Sequence, residues 1–262
     1  MSMFDGFKFR SVNSSVHKMD PRAKFIYVCV MFAVAVMFSQ IIPLLVLLII
    51  QMPLVFAARV QKEWLRSMKG AAGFAIIIFL MNVFSLYFYG NYESLSAIVE
   101  RSFALTLRFM VLIESFSVFF LTTSPDLLGL ALEQSRVPYE LCFAFTTAVR
   151  FVPVLAEEAQ TIMDAQKARG LELEGGSFIK KIRNYIPILI PLIVNAIRRS
   201  LELAETMESR AWGATQNRTN LYVLRMGRKD FLLMLFSFAM LVVSVYVSLN
   251  VQIPNIIYLL NI

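Results

Sequence analysis

The chain has 262 residues, of which 58% are hydrophobic and only 16% charged, with 23 Phe, 14 Met and a mean hydropathy of +0.66. Soluble domains are roughly half apolar and about a quarter charged, so this composition excludes an ordinary soluble globular protein and assigns the surplus apolar surface to lipid. The net charge of +7 would suggest nucleic acid in a soluble chain; beside long apolar runs it reports Lys and Arg held on one side of a membrane, and no nucleic-acid partner is expected.

In chain order, the first expected element opens at Asp20-Pro21, an N-cap followed by a first-turn proline. It leads into an apolar run over residues 25–39, followed by runs over 41–58, 73–89 and 231–249. Each approaches the roughly 20 residues that a helix needs to cross the hydrocarbon core. The first is short, which snorkelling of Lys24 and local bilayer thinning accommodate. It is retained, because no small-residue cleavage site follows it. Only Ser39 and Gln40 separate it from the second run, so the pair reads as a tight hairpin. A fifth run, 102–122, is interrupted by Arg108 and Glu114, which lie on different helix faces and therefore contact this chain's own helices rather than each other. Trp64 and Trp212 read as interface anchors.

Basic residues orient these runs. With the N-terminus inside, five crossings leave all but Arg101 and Arg108 of the 25 Lys and Arg on the cytoplasmic side, and the C-terminus outside. The expected organisation is a membrane region over 1–122 with four spans, a cytoplasmic block over 123–230, and a last span with an outside tail over 231–262.

The block 123–230 mixes charge and apolar residues at helical spacing and offers no clean crossing. Asp126 is expected to cap a short helix to about Ser135, and Pro138 interrupts before the next. One long helix is expected after Pro153, with Leu155, Ala156, Ala159, Ile162 and Met163 on a stripe. Another is expected after Pro191, with Ile197, Leu201 and Ala204 on a stripe.

These two helices end alike. Superposing Arg169 on Arg210 pairs Asp164 with Glu205, Ala168 with Ser209 and Gly170 with Ala211. An Arg before Gly is an ordinary helix C-terminus, because the cation complements the dipole and Gly takes the left-handed cap. The same setting twice says more. Small neighbours let another backbone approach, and a guanidinium then forks onto carboxylates or carbonyls, so two similar plugs suggest two similar sockets.

The ordered set of Ser15-Val16-His17-Lys18-Met19-Asp20-Pro21-Arg22-Ala23-Lys24, Thr122-Thr123-Ser124-Pro125-Asp126-Leu127, Arg150-Phe151-Val152-Pro153, Asp164-Ala165-Gln166-Lys167-Ala168-Arg169-Gly170 and Met207-Glu208-Ser209-Arg210-Ala211 resembles the transmembrane coupling subunit, or T component (EcfT/CbiQ type), of energy-coupling factor (ECF) transporters, a branch of the ATP-binding-cassette importers. The second motif departs from the family's usual Ala-Arg-Gly by reading Ser-Arg-Ala. The resemblance implies an all-α integral membrane protein, an L-shaped scaffold of about five transmembrane helices plus a large cytoplasmic coupling domain of long amphipathic helices, in a prokaryotic cell membrane. It implies a non-catalytic subunit for vitamin or micronutrient uptake, whose partners are two ABC-type ATPase subunits, as homo- or heterodimer, and a substrate-binding S component. Ala168, Arg169 and Gly170, with Ser209, Arg210 and Ala211, would dock the ATPases, supported by Pro153, Asp164, Pro191 and Glu205. ATP and Mg2+ would reside in the partners, with no cofactor or metal on this chain.

The sequence disfavours other classes. A stand-alone secondary transporter built on Arg108 and Glu114 would leave the long cytoplasmic block without a role. For an intramembrane enzyme the chain lacks a Walker-type phosphate loop, a GxSxG motif and a His cluster, its only histidine being His17. Cys29 and Cys142 form no CxxC or metal-ligand pattern. Within the family, a dedicated cobalt or nickel importer subunit is the narrower alternative.

Overall fold

A computed structural model describes residues 14–89, 95–172, 177–214 and 222–250. All regular elements among them are α-helices: α1 (Pro21–Met37), α2 (Ile41–Ala58), α3 (Gln61–Tyr89), α4 (Leu95–Thr122), α5 (Pro125–Gln134), α6 (Tyr139–Ala168), α7 (Phe178–Ser209) and α8 (Arg228–Asn250). They divide into two units, one made of α1–α5 with α8, the other of α6 with α7.

In the first unit α4 is the central post. It packs on α1, α2 and α3, while α8 and the short α5 pack on α1. The core is built from Tyr27, Val28, Met31, Val34 and Ala35 of α1, Leu44 and Leu47 of α2, and Ala104, Val111 and Phe119 of α4. Leu233, Met240 and Val247 of α8, spaced by sevens on one stripe, pack against it. The outward faces are apolar as well: Phe74 and Ile77 of α3 and Phe231 and Phe238 of α8 are all more than half exposed, the pattern of helices whose solvent is lipid. Polar residues go inside instead, where Ser115 Oγ donates to Gln51 Oε1 at 2.7 Å, joining α4 to α2.

Five helices, α2, α3, α4, α6 and α8, are long and apolar enough to cross a membrane. The number equals that of the expected spans, but length and composition pick out α6 and leave α1 just under the length. Helix α1 has 17 residues, about 26 Å, just short of the roughly 30 Å hydrocarbon core. Conversely α6 qualifies because it runs unbroken through Pro153: a proline inside a helix removes one hydrogen bond and bends the axis without necessarily ending it.

Helix starts match their local chemistry. Asp20 caps α1, accepting from Arg22 N–H at 2.9 Å, with Pro21 in the first turn. Helix α5 is capped by Ser124 rather than Asp126; Pro125 fills its first position and Asp126 lies in the first turn, where its charge complements the helix dipole. Lys24 does not snorkel. It is buried, 4% exposed, and its ammonium donates to Thr122 O, the last residue of α4, at 2.8 Å, a cation on a helix C-terminus. Asp230 completes this junction, its carboxylate accepting from Asp20 N–H at 2.9 Å and Gly227 N–H at 2.7 Å. The starts of α1 and α8 and the end of α4 are thus tied by buried charge-assisted bonds.

The two charges inside α4 behave differently. Arg108 Nη2 donates to Phe38 O at 2.8 Å and Ser39 Oγ at 3.3 Å, capping the end of α1. Glu114 is fully buried, and neither of its oxygens has a hydrogen-bond partner among the described residues.

Candidate functional site

The second unit is an antiparallel helical hairpin held together at three levels. Near the end of α6, Gln166 Nε2 donates to Pro187 O at 3.3 Å. That carbonyl is available because residue 191, four positions on, is also proline and supplies no N–H. Midway, Glu158 accepts from Asn195 at 2.6 Å and pairs with Arg199 at 3.3 Å. At the other end Trp212 packs against Phe143 and Tyr139 of the first turns of α6, with ring centroids 4.8 and 5.5 Å apart. Trp212 is therefore an internal clamp as well as a partly exposed ring, not simply an interface anchor.

The long helices do not begin after Pro153 and Pro191 as the sequence suggests. They begin at Tyr139 and Phe178, and Pro153, Pro187 and Pro191 lie inside them, half-buried. Each proline frees a carbonyl one turn back, a bend tolerated because packing and cross-helix bonds hold the helix on both sides of it.

Both helices terminate in the same hydrogen-bonded geometry. Arg169 and Arg210 are the C-caps. The following residues are left-handed, Gly170 at φ 90° and Ala211 at φ 57°. Leu171 N–H returns to Gln166 O at 3.0 Å and Trp212 N–H to Met207 O at 3.0 Å; Gly170 N–H bonds Lys167 O, and Ala211 N–H bonds Glu208 O, each at 2.9 Å. These are two Schellman closures. The departure of the second motif from Gly is thus a change of residue without a change of backbone, at the cost of holding Ala in a conformation that Gly adopts freely. All six motif residues are exposed, and neither guanidinium has an ion pair among the described residues.

The antiparallel pairing brings neither motif near the other. Residue 166 lies beside 187 and 158 beside 195, so Arg169 stands beside the start of α7 and Arg210 at its far end, separated by about 39 Å of helix. Of the supporting positions, Asp164 accepts from Gln160 at 3.0 Å, Pro191 acts through the carbonyl of Pro187, and Glu205 is exposed. Sequence reasoning missed Gln166, Glu158, Asn195 and Arg199, which fix the hairpin; Glu158 and Arg199 carried a faint signal as charges toward the α6 and α7 apolar stripes.

The stripe of α6 expected from sequence is half-buried against α7. That of α7 is open: Ile182, Ile186, Ile190, Ile193, Ile197 and Leu201 are 46 to 59% exposed on the side turned away from α6. No cluster of three or more His, Cys, Asp or Glu able to hold a metal occurs among the described residues.

The described residues thus form a helical protein with several helices able to cross a membrane and two matched arginine ends on one hairpin. A family model described as cobalt transport protein (CbiQ) matches residues 12–221. The chain is 31% identical over 255 residues to an energy-coupling factor transporter transmembrane protein EcfT of Clostridium kluyveri, covering 89% of this chain and 92% of the relative. It is 32% identical over 240 residues to the protein of that name from Lactococcus lactis subsp. cremoris, covering 84% and 89%, and 30% identical over 236 residues to that of Thermosediminibacter oceani, covering 83% and 88%. The chain belongs to the CbiQ/EcfT family, the energy-coupling transmembrane components of ECF transporters.

Proposed function

We propose that this chain is the scaffold through which two cytoplasmic ABC-type ATPase subunits, which bind ATP and Mg2+ and carry out hydrolysis, move a separate substrate-binding S component for vitamin or micronutrient uptake. Arg169 and Arg210, each between small residues, enter one groove on each ATPase subunit; Asp164, Glu205, Pro153 and Pro191 shape the helices behind them. The membrane regions are 1–122 and 231–262 and the coupling block 123–230, with the N-terminus and coupling block cytoplasmic and the C-terminus outside. No cofactor is held by this chain, and it performs no catalysis of its own.

The observation that carries this reading is the pair of exposed guanidiniums, without an ion pair among the described residues, on identical Schellman ends about 39 Å apart along one hairpin. That spacing suits two partner subunits, one at each end. When the ATPases close, the ends are drawn relative to one another, and the open stripe of α7 passes the movement to an apolar membrane partner. The description of the family model as a cobalt transport protein favours, as a second reading, a dedicated cobalt or nickel importer subunit with the metal as cargo.

The test is co-purification of the ATPase subunits with Arg169→Ala, Arg210→Ala and the double variant, together with ATP-driven uptake. The double variant is expected to lose the ATPases and uptake; full assembly with full uptake would overturn the docking role.

A further inference from the structure

The first turns of α7 carry a chemistry that docking of ATPases does not use. Ile179 is 78% exposed, Ile182 55% and Ile186 46%, all on one side of the helix. Taking Ile186 as the centre of that side, Arg183 and Lys180 lie about 60° and 120° to one flank and Lys181 about 140° to the other. All three are exposed, and none is in an ion pair among the described residues. No Asp or Glu stands on α7 before Glu202. On α7 itself the charge is thus one-signed and brackets an apolar wedge, with Glu172 before the helix as an acidic neighbour, its carbonyl accepting from Asn184 at 2.6 Å.

We propose that this end of α7 is a binding surface for anionic phospholipid headgroups, with Lys180, Lys181 and Arg183 facing the phosphates and Ile179, Ile182 and Ile186 entering the acyl boundary. The pattern is that of a helix lying in the plane of a bilayer interface, where apolar burial and attraction to acidic lipid add. The long basic stems reach the headgroup layer from either flank while the isoleucines stay in contact with lipid. A membrane is at hand, because the chain carries five helices long and apolar enough to cross one. Choice of the cytoplasmic leaflet rests on the orientation proposed above. Lipid docking at this end leaves the rest of the stripe, from Ile190 to Leu201, for the membrane partner, and makes the stiffness of the hairpin depend on the lipid around it.

The test uses the full chain alone in nanodiscs, without ATPase or S component, so that its failure is separable from failure of the coupling role. Cys29 and Cys142 are replaced by Ser, and an environment-sensitive fluorophore is attached at Ile186→Cys. The nanodiscs contain bromine-labelled phosphatidylcholine with or without phosphatidylglycerol. Three basic side chains at an acidic surface should shift the ratio of docked to undocked label by roughly a hundredfold. Quenching should therefore rise with phosphatidylglycerol, fall in high salt and lose its lipid dependence in K180Q/K181Q/R183Q, while K180R/K181R keeps it. Quenching independent of phosphatidylglycerol, or a triple variant that behaves as the parent, would overturn the proposal. So would a label shielded from both water and brominated lipid, which would mean that a second copy of the chain covers this face.

Discussion

At Ala211 a single methyl group separates the two arginine ends. Both residues after the arginines are left-handed, but Gly170 is at ease there and Ala211 is not. Ala211→Gly is expected to stabilise the protein by about 1 kcal/mol, and Gly170→Ala, which meets no atom within 4 Å, to cost about the same through conformation alone. Thermal unfolding in detergent measures both, and equal melting temperatures for Ala211→Gly and the parent would contradict the strain. Glu114 is a second local anomaly, a fully buried carboxyl without a hydrogen bond. Replacing it by the apolar Met should raise stability by about 1 to 3 kcal/mol, because the desolvation of an unmet polar group disappears; a loss of stability would reveal a partner. His17 gives a pH signature. Burial first, and the nearby Lys24 charge second, lower its pKa from the ordinary 6.5 against the raising effect of a backbone hydrogen bond at Leu121. Its neutral form is therefore the one that fits the fold: the stability it allows is present above pH 6.5 and declines as pH falls below it. Unfolding followed from neutral to mildly acidic pH should show that decline in the parent and a shallower one in His17→Gln.

At the scale of the element, the hairpin is held by few polar ties along two long helices, so each tie counts. Glu158 satisfies Asn195 and Arg199 together. Glu158→Ala leaves both half-buried groups without it and should cost about 1 to 3 kcal/mol. The loss should be confined to faster amide exchange in the facing middles of α6 and α7, with the α1/α4/α8 junction unaffected; uniform protection throughout would mean that the helices are held by apolar packing alone. The legibility of these elements was uneven. The cap at Asp20 and the matched ends at Arg169 and Arg210 could be read from residues a few positions apart, because capping and helix termination are local chemistry. The starts of α6 and α7 could not. A proline reads as a boundary when only its own lost hydrogen bond is considered, whereas here Gln166 takes up the carbonyl that Pro191 leaves free, a partner 21 residues away.

For the whole molecule, the two arginines behave as separate attachment points only if the hairpin keeps them apart. Arg169→Ala and Arg210→Ala singly should each weaken assembly while retaining one ATPase contact, and the double variant should lose far more than either; copurified ATPase per chain, counted by quantitative gel densitometry, distinguishes this from a single shared site, where either change alone would abolish binding. Composition and charge sufficed to place this chain in a membrane, to count five apolar helices and to single out two matched helix ends, since hydropathy, charge asymmetry and capping act over one turn or one span. The tertiary structure alone decided that Lys24 turns inward, that Arg108 caps α1 while Glu114 has no hydrogen-bond partner among the described residues, and that α6 runs unbroken through Pro153. It alone also set Arg169 and Arg210 at opposite ends of one hairpin, because the antiparallel register that separates them is fixed by Gln166, Glu158 and Trp212 meeting residues distant in the chain.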